Sequence, residues 1–366
     1  MTFLSRLFGQ NNLIYIHTDR QQYYAGEQVS GTVILSVIQP LHVDGIYLKI
    51  YGYEETEFDV SCQSQKTDNQ GKVKLEQWTE RVRGSNTFFR KRYCIYSQKC
   101  TLASGNFVFP FQFLLDAKLP GTFEIYGQQK FSQRSTKASI TYRVETEVAV
   151  PGLLKPNLYH SQDILICEPL RTALMSSDTY KECSVTFLCC IPKGTISMSA
   201  NIDKNAYEPG DTVRLRLILD NSSSQVDLEY LSLKLVSEIN LIATEVIDRP
   251  IGLDSRRICH EVSSSRGTIA KARSAGVKAG ERVDRYIQLT LPTDCEPSTK
   301  SSLISCKYLL SVELKVPWSP DVVITQPVQI YASQRQTYQA HLQYPPDWAP
   351  SVFPIIDLQT MQYVTY

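Results

Sequence analysis

Alternation of apolar and polar residues is the commonest pattern along this chain. In ASITYRVETEVAV, Ile140, Tyr142, Val144, Val148 and Val150 fall on one face, and Thr141, Arg143, Glu145 and Glu147 on the other, as a half-buried strand requires. TVRLRLIL turns Val213, Leu215, Leu217 and Leu219 inward against Arg214 and Arg216. YLLSVELKVPW sets Leu310, Val312, Leu314 and Val316 against Ser311, Glu313 and Lys315. Long windows of 3.6-residue period are absent, so the pattern predicts no helical layer. Short strands punctuated by Gly, Pro, Asn and Asp predict sandwiches or barrels, and their polar outer faces predict antiparallel sheets. The fold class read from the pattern is all-β.

A repeat sharpens this reading. DRQQYYAGEQVSGTVIL at 19–35 recurs as DKNAYEPGDTVRLRLIL at 203–219. Asp19/Asp203, Tyr23/Tyr207, Gly26/Gly210, Val29/Val213, Ile34/Ile218 and Leu35/Leu219 are identical, and Arg20/Lys204 and Glu27/Asp211 keep their charge. In the second copy Pro209 presets φ and Gly210 supplies the positive φ of a type II turn that launches the next strand. In the first copy Ala25 replaces the proline, forgoing about 0.4–1 kcal/mol of pre-organisation in the unfolded chain, while Gly26 keeps the turn available. The 366 residues exceed the roughly 250–300 at which one core stops growing. The expected division is a first domain over 1–150, a connection over 151–190 marked by Pro151, Pro156 and Pro169 and adding edge strands, a second domain over 191–332, and a tail over 333–366. The tail is proline-spotted, aromatic and without period, and is expected to be flexible or docked.

Composition narrows the function. An apolar fraction of 42% suffices for two cores, and a net charge of +1 gives no global pull toward nucleic acid, leaving any electrostatic role to local patches. The opening MTFLSRLFGQ is too short in apolar residues for a signal peptide, Thr2 stands where myristoylation needs glycine, and no later run is long enough to span a membrane. The expected location is the cytoplasm. The ten cysteines show no disulfide framework, CxxC or HxxxH spacing, so reduced, mostly buried thiols are expected, with no metal and no cofactor. The sequon at Asn221 matters only outside the cytosol.

IHTDRQQYYAGEQVSGTVIL resembles the opening of an arrestin N-domain, and CCIPKGTISMSANIDKNAYEPGDTVRLRLILDNSSSQVDLEYLSLKL the opening of its C-domain. The pair Cys189-Cys190 ahead of GTIS, DNSS at 220–223 and SCKYLLSVELKVPW at 305–318 are most similar to the α-arrestin (arrestin-domain-containing) branch. The resemblance covers about residues 10–332. It implies two tandem immunoglobulin-like antiparallel sandwiches of about seven strands each, joined by a hinge and concave on one side, with no catalytic machinery. It implies a trafficking adaptor that engages cytoplasmic tails of membrane cargo at plasma or endosomal membranes. Many members recruit a ubiquitin ligase through C-terminal PPxY motifs. Here the one candidate is PPDW, Pro345, Pro346 and Trp348, with tryptophan where the ligase's WW domain takes tyrosine. The competing reading is a proline turn that docks Trp348 and Phe353 on the body.

Two basic segments are candidate sites. RVRGSNTFFRKRY gathers Arg81, Arg83, Arg90, Lys91 and Arg92 around Phe88 and Phe89. It reads as a loop with a basic-aromatic tip for phospholipid head groups or a phosphorylated cargo tail, against a solvated hairpin whose phenylalanines are core. SRGTIAKARSAGVKAGERVDR brings Arg266, Lys271, Arg273, Lys278, Arg282 and Arg285 into a Gly/Ala-rich hairpin of the second domain, for cargo or lipid, or as charge protecting an edge strand. FLSRLFG, with Phe3, Leu4, Leu7 and Phe8, is too short to hold a bilayer alone. Enzymatic motifs are missing: there is no GxSxG, P-loop or strand-borne GxGxxG, and Cys259-His260-Glu261 are strand neighbours that point to opposite faces. The alternatives are a retromer-type arrestin-fold coat subunit in endosomal sorting, a non-catalytic structural β-sandwich protein, or an enzyme whose site assembles from distant residues.

Overall fold

The structure, a computed structural model, describes residues 11–67, 73–127, 136–152, 156–170, 173–187, 191–248, 258–332 and 348–363. Regular secondary structure among the described residues is strand throughout. In the first half Leu13–Thr18, Gln28–Val37 and Gly105–Leu114 form one sheet, and Gly45–Thr67, Val73–Tyr96, Lys137–Ala149 and Leu158–Cys167 the other. In the second half Ser177–Phe187, Ile191–Ile202, Thr212–Asp220 and Arg282–Thr290 face Tyr230–Asp248, Ile258–Ala275, Ile304–Leu314 and Val322–Ile330. The stretch read as a connection therefore gives Leu158–Cys167 to the first half and Ser177–Phe187 to the second.

Alternation places most of the core as expected, although Val150, read as inward, is only half-buried and Glu145, read as outward, is buried. Val213, Leu215, Leu217 and Leu219 are fully buried, as are Leu310, Val312, Leu314 and Val316, and Ile140, Tyr142, Val144 and Val148. Each such side chain contributes roughly 1.5–3 kcal/mol on leaving water. The thiols depart from expectation: Cys167, Cys295 and Cys306 are buried, but Cys62, Cys94, Cys100, Cys183 and Cys259 are only half-buried. Asn221 is also fully buried, its amide donating to the carbonyls of Val226 at 3.0 Å and Lys278 at 2.9 Å. The sequon asparagine is thus a structural brace with no room for a glycan.

The repeat builds the same unit twice. The hydroxyl of Tyr23 donates to Asp19 as that of Tyr207 donates to Asp203, and Arg20 pairs with Glu27 as Lys204 pairs with Asp211. Gly26 and Gly210 hold φ of 89° and 90°, and Glu27 N–H and Asp211 N–H close their turns onto the Tyr24 and Glu208 carbonyls, each at 3.0 Å. The Asp19 and Asp203 carboxylates also accept from Ser30 N–H and Arg214 N–H on the strand that follows. The conserved charges are therefore the staples of a turn, which is why both copies keep them. Ala25 does something proline cannot: its N–H donates to the Cys167 carbonyl at 3.0 Å.

Pairing is antiparallel except at a few short places. Gln22–Tyr24 runs parallel to Leu158–Cys167, Ala206–Tyr207 parallel to Val322–Ile330, and the tail pairs Ser351–Val352 and Ile356–Asp357 parallel to Gly105–Leu114. In both halves the tyrosine segment runs into its turn beside the last strand of its own sandwich. The junction carries a further feature. Val73–Tyr96 pairs along its length with Gly45–Thr67 and, at its middle, with Tyr230–Asp248: Glu245 lies opposite Arg83, Val246 opposite Val82 and Asp248 opposite Arg81. The second layers of the two sandwiches are thereby one 12-stranded sheet.

Candidate functional site

The segment expected to form a basic-aromatic loop tip is instead the middle of the strand Val73–Tyr96. Phe88 and Phe89 both stack on Tyr142, with centroids 6.1 Å away, and pack against the core. Arg81 and Arg83 grip Glu57 at 2.5 and 3.1 Å. Burial pushes the Glu57 carboxyl up, but the hydrogen bonds from Arg83 and Arg81 outweigh it and hold it below the usual range. Arg90 lies opposite Tyr51 and Lys91 opposite Ile50. Arg92 lies 3.6 Å over the Tyr47 ring and 3.8 Å from Glu147. Clustered charge in a sequence looks the same for a loop tip as for the outer face of a paired strand, where carboxylates of neighbouring strands answer it.

Gly84, between those arginines, is required by close approach. A Cβ there would sit 2.5 Å from the Ile242 carbonyl and 2.6 Å from the Thr56 hydroxyl. That hydroxyl itself donates across the junction to the Ile242 carbonyl at 2.5 Å.

The second basic segment is not a separate hairpin. Ile258–Ala275 is a long strand paired with Tyr230–Asp248, and among the described residues its other edge pairs with nothing, the position foreseen for edge protection. Lys271 lies directly opposite Lys234, whose ammonium bonds Glu313. Arg273 lies 4.9 Å over the Tyr230 ring. The hydrogen bond from Lys234 holds the Glu313 carboxyl below its usual range, with Lys271 adding to it. Lys234, Lys271 and Arg273 thus lie on two neighbouring strands, with Lys234 and Lys271 acting on one carboxylate, Glu313, and Arg273 over the Tyr230 ring. Lys278, in the following turn, is taken up by Asp227 at 2.9 Å, and Arg266 by Glu238 at 3.4 Å.

Sequence reasoning missed the junction itself. Glu54 is fully buried and accepts from Asn86 Nδ2 at 2.8 Å, Leu303 N–H at 3.1 Å and the Ser301 hydroxyl. Glu168 accepts from Gly121 N–H at 3.2 Å and the Thr299 hydroxyl at 2.8 Å. Two carboxylates of the first half therefore clasp one segment of the second, the short strand Thr299–Lys300 and the turn that follows it to Leu303. A signal was present: in YGYEETEF, Glu54 occupies the inward phase shared by Gly52, Thr56 and Phe58. Beside the clasp lies a cavity of about 540 Å³ lined by Gln22, Phe123, Cys167, Glu168, Cys295 and Glu296 among others. Among the described residues no group of three or more His, Cys, Asp or Glu is arranged to hold a metal ion.

Of the proline motif, Pro345 and Pro346 lie outside the described residues, as do Cys189-Cys190 and the amphipathic start of the chain. Trp348 packs against Ile34 and Val108 beside Leu13 and Tyr15, and Phe353 stacks on Phe109 at 4.4 Å. This is the docked arrangement weighed against ligase recruitment.

Comparison with known proteins matches residues 13–173 to the family described as Arrestin (or S-antigen), N-terminal domain, and residues 192–335 to Arrestin (or S-antigen), C-terminal domain. Arrestin domain-containing protein A of Dictyostelium discoideum is 25% identical over 327 residues, covering 88% of this chain and 52% of that protein. Arrestin domain-containing protein 1 of Homo sapiens is 26% identical over 318 residues, covering 85% and 62%. Its Mus musculus counterpart is 24% identical over 330 residues, covering 86% and 62%. The chain spans 52% to 62% of the length of these relatives.

Proposed function

This chain belongs to the arrestin family, and from that premise we propose that it is an adaptor that holds cytoplasmic tails of membrane cargo while resting on an anionic membrane surface, plasma or endosomal. Arrestin-family proteins are in general non-catalytic adaptors that bind membrane cargo and trafficking machinery. The observation that supports a surface contact here is the strip Lys234, Lys271 and Arg273, in which two lysines stand opposite each other and the carboxylate that Lys234 bonds, Glu313, lies on the strand at its far side. Like charges placed directly across a ladder repel, and an anion laid over them relieves that cost. Each cation near an anionic surface contributes about 1 kcal/mol. Arg90 and Lys91, both exposed, are the members of the first basic segment still suited to such contact. Recruitment of a ubiquitin ligase through Pro345, Pro346 and Trp348 requires Trp348 to leave its seat on Ile34 and Val108.

Flotation with vesicles containing phosphatidylserine tests the surface contact. The full chain should float, and Lys271→Glu with Arg273→Glu should weaken flotation at least about tenfold. Undiminished flotation of that variant removes the strip from the reading. The pair Arg90→Glu and Lys91→Glu reports separately on the first domain.

A further inference from the structure

Two buried thiols bracket the segment by which the two halves are clasped. Cys295 and Cys306 are 6% and 1% exposed, and Thr299, Ser301 and Leu303, which Glu168 and Glu54 hold, all lie between them. Cys306 stands opposite Thr299 in the short antiparallel pairing of Thr299–Lys300 with Ile304–Leu314. Tyr308 falls two positions further along that strand, on the same inward face. Its hydroxyl donates to the Glu296 carbonyl at 2.7 Å, which draws the residue next to Cys295 up to the ring. Burial raises the pKa of this phenol; Cys306, by its charge and a hydrogen bond, and Cys295 add to the rise. One hydroxyl therefore has both thiols as neighbours, at the neck of the clasped segment. The two differ in how a reagent reaches them. Cys295 forms part of the wall of the 540 Å³ cavity at the junction, along with the exposed Glu124 and Asp294. Cys167 contributes to the same wall from the first half and is the competing partner.

We propose that Cys295 and Cys306 are an oxidation site, closed to a disulfide by hydrogen peroxide, and that the bridge tightens the grip of the first half on the second. Peroxide enters through the cavity and meets Cys295 first. The Cys295 thiolate attacks one peroxide oxygen: an S–O bond forms, the O–O bond breaks, and the departing hydroxide takes up the thiol's proton as water. The Cys306 sulfur then attacks the Cys295 sulfur, the S–O bond breaks, and the second hydroxide leaves with the Cys306 proton as water. Two thiols lose two electrons and one peroxide gains them. The bond closes the loop 295–306 at its neck, which removes disorder from the unfolded chain and keeps Thr299 and Ser301 turned toward Glu168 and Glu54. In a reducing compartment such a bond is transient and acts as a sensor, not as a permanent staple.

The test treats the full chain with hydrogen peroxide, blocks the remaining thiols with N-ethylmaleimide and maps tryptic peptides without reduction. Trypsin cuts after Lys300, so the peptides 286–300 and 301–307 stay together only through the bridge. Their linked mass is expected, and dithiothreitol should abolish it. In Cys306→Ser the sulfenic acid on Cys295 has no thiol to meet and should be trapped by dimedone; Cys306→Ala is the second variant where serine disturbs the core. Cys167→Ser should form the bridge as the unaltered chain does. The urea midpoint of the oxidised chain should lie above that of the reduced chain, and the difference should vanish in Cys306→Ser. Maleimide on both Cys295 and Cys306 after peroxide, linkage of 286–300 to the peptide that carries Cys167, or loss of the bridge in Cys167→Ser would each overturn the assignment. Equal midpoints for the bridged and reduced chains would overturn the tightened grip.

Discussion

Glu54 and Leu303 meet across the junction of the two sandwiches: the fully buried carboxylate accepts the Leu303 N–H at 3.1 Å. Asn86 and Ser301 supply its other donors, so the polar atoms of this buried side chain are answered by hydrogen bonds instead of water. Glu54→Ala leaves these donors without their acceptor, at about 1–3 kcal/mol for each buried group. The expected result is a urea midpoint well below that of the unaltered chain, with the two halves beginning to unfold in separate steps. Overlapping curves for the two proteins would show that the clasp contributes little.

The turn at Ala25 gives a prediction opposite to the one its sequence suggests. Proline at this position matches the second copy of the repeat and, on the unfolded-chain argument, would stabilise by about 0.4–1 kcal/mol. In the structure the Ala25 N–H is spent on the Cys167 carbonyl. Ala25→Pro therefore forfeits a bond worth about 0.5–1.5 kcal/mol and strands a carbonyl in a buried residue. Equilibrium unfolding should show a net loss, whereas a gain would mean that the bond is idle.

His160 ties stability to pH. Its Nδ1 accepts the Ile16 N–H at 3.3 Å, and its ring lies 4.3 Å from that of Tyr15. Burial holds its pKa below the ordinary 6.5. Burial likewise lowers His17, with Asp19 opposing it. Since the folded pKa lies below the unfolded one, the unfolded chain binds more protons across this window. The stabilisation is complete above the unfolded value and is lost as pH falls through the folded one. Unfolding midpoints should decline from pH 7.5 to 5.5, and His160→Asn, which keeps an acceptor but does not titrate, should flatten that decline. An identical slope in both proteins would assign it to other groups.

Asn221 offers a local test of the second sandwich. Its amide donates to the carbonyls of Val226 and Lys278 from a fully buried position. Asn221→Asp replaces the donor with an acceptor facing carbonyl oxygens, a change of the class that costs about 3–5 kcal/mol when charge is left unpaired. Calorimetry should show a lower melting temperature, and a melt unchanged from the parent would mean that the loop opens to admit water.

How much was legible follows from the range of the interactions. The runs at 140–150, 213–219 and 310–316 were readable because a strand's inward phase repeats every second residue. The repeated turn was readable because its staples, Asp19 to Tyr23 and Asp203 to Tyr207, are four positions apart. The basic stretch at 81–92 was misplaced. A register shift between Gly52 and Tyr53 turns both Phe88 and Phe89 toward Tyr142 and breaks the alternation by which a strand is recognised. The partners of Arg81, Arg83 and Arg92 are Glu57 and Glu147, residues on other strands that spacing along the chain does not reveal. The seat of Trp348 was named only as one of two options, since Ile34 and Val108 lie hundreds of residues earlier.

The ladder that runs from Val82 to Val246 has a mechanical meaning. A swivel between the lobes would have to wind up the entire ribbon or shear it at those two valines, because hydrogen bonds along a sheet resist sliding far more than a loop resists bending. Motion imposed at one end is thus delivered to the other as torque, and the amides at this seam are where such a load would first be felt.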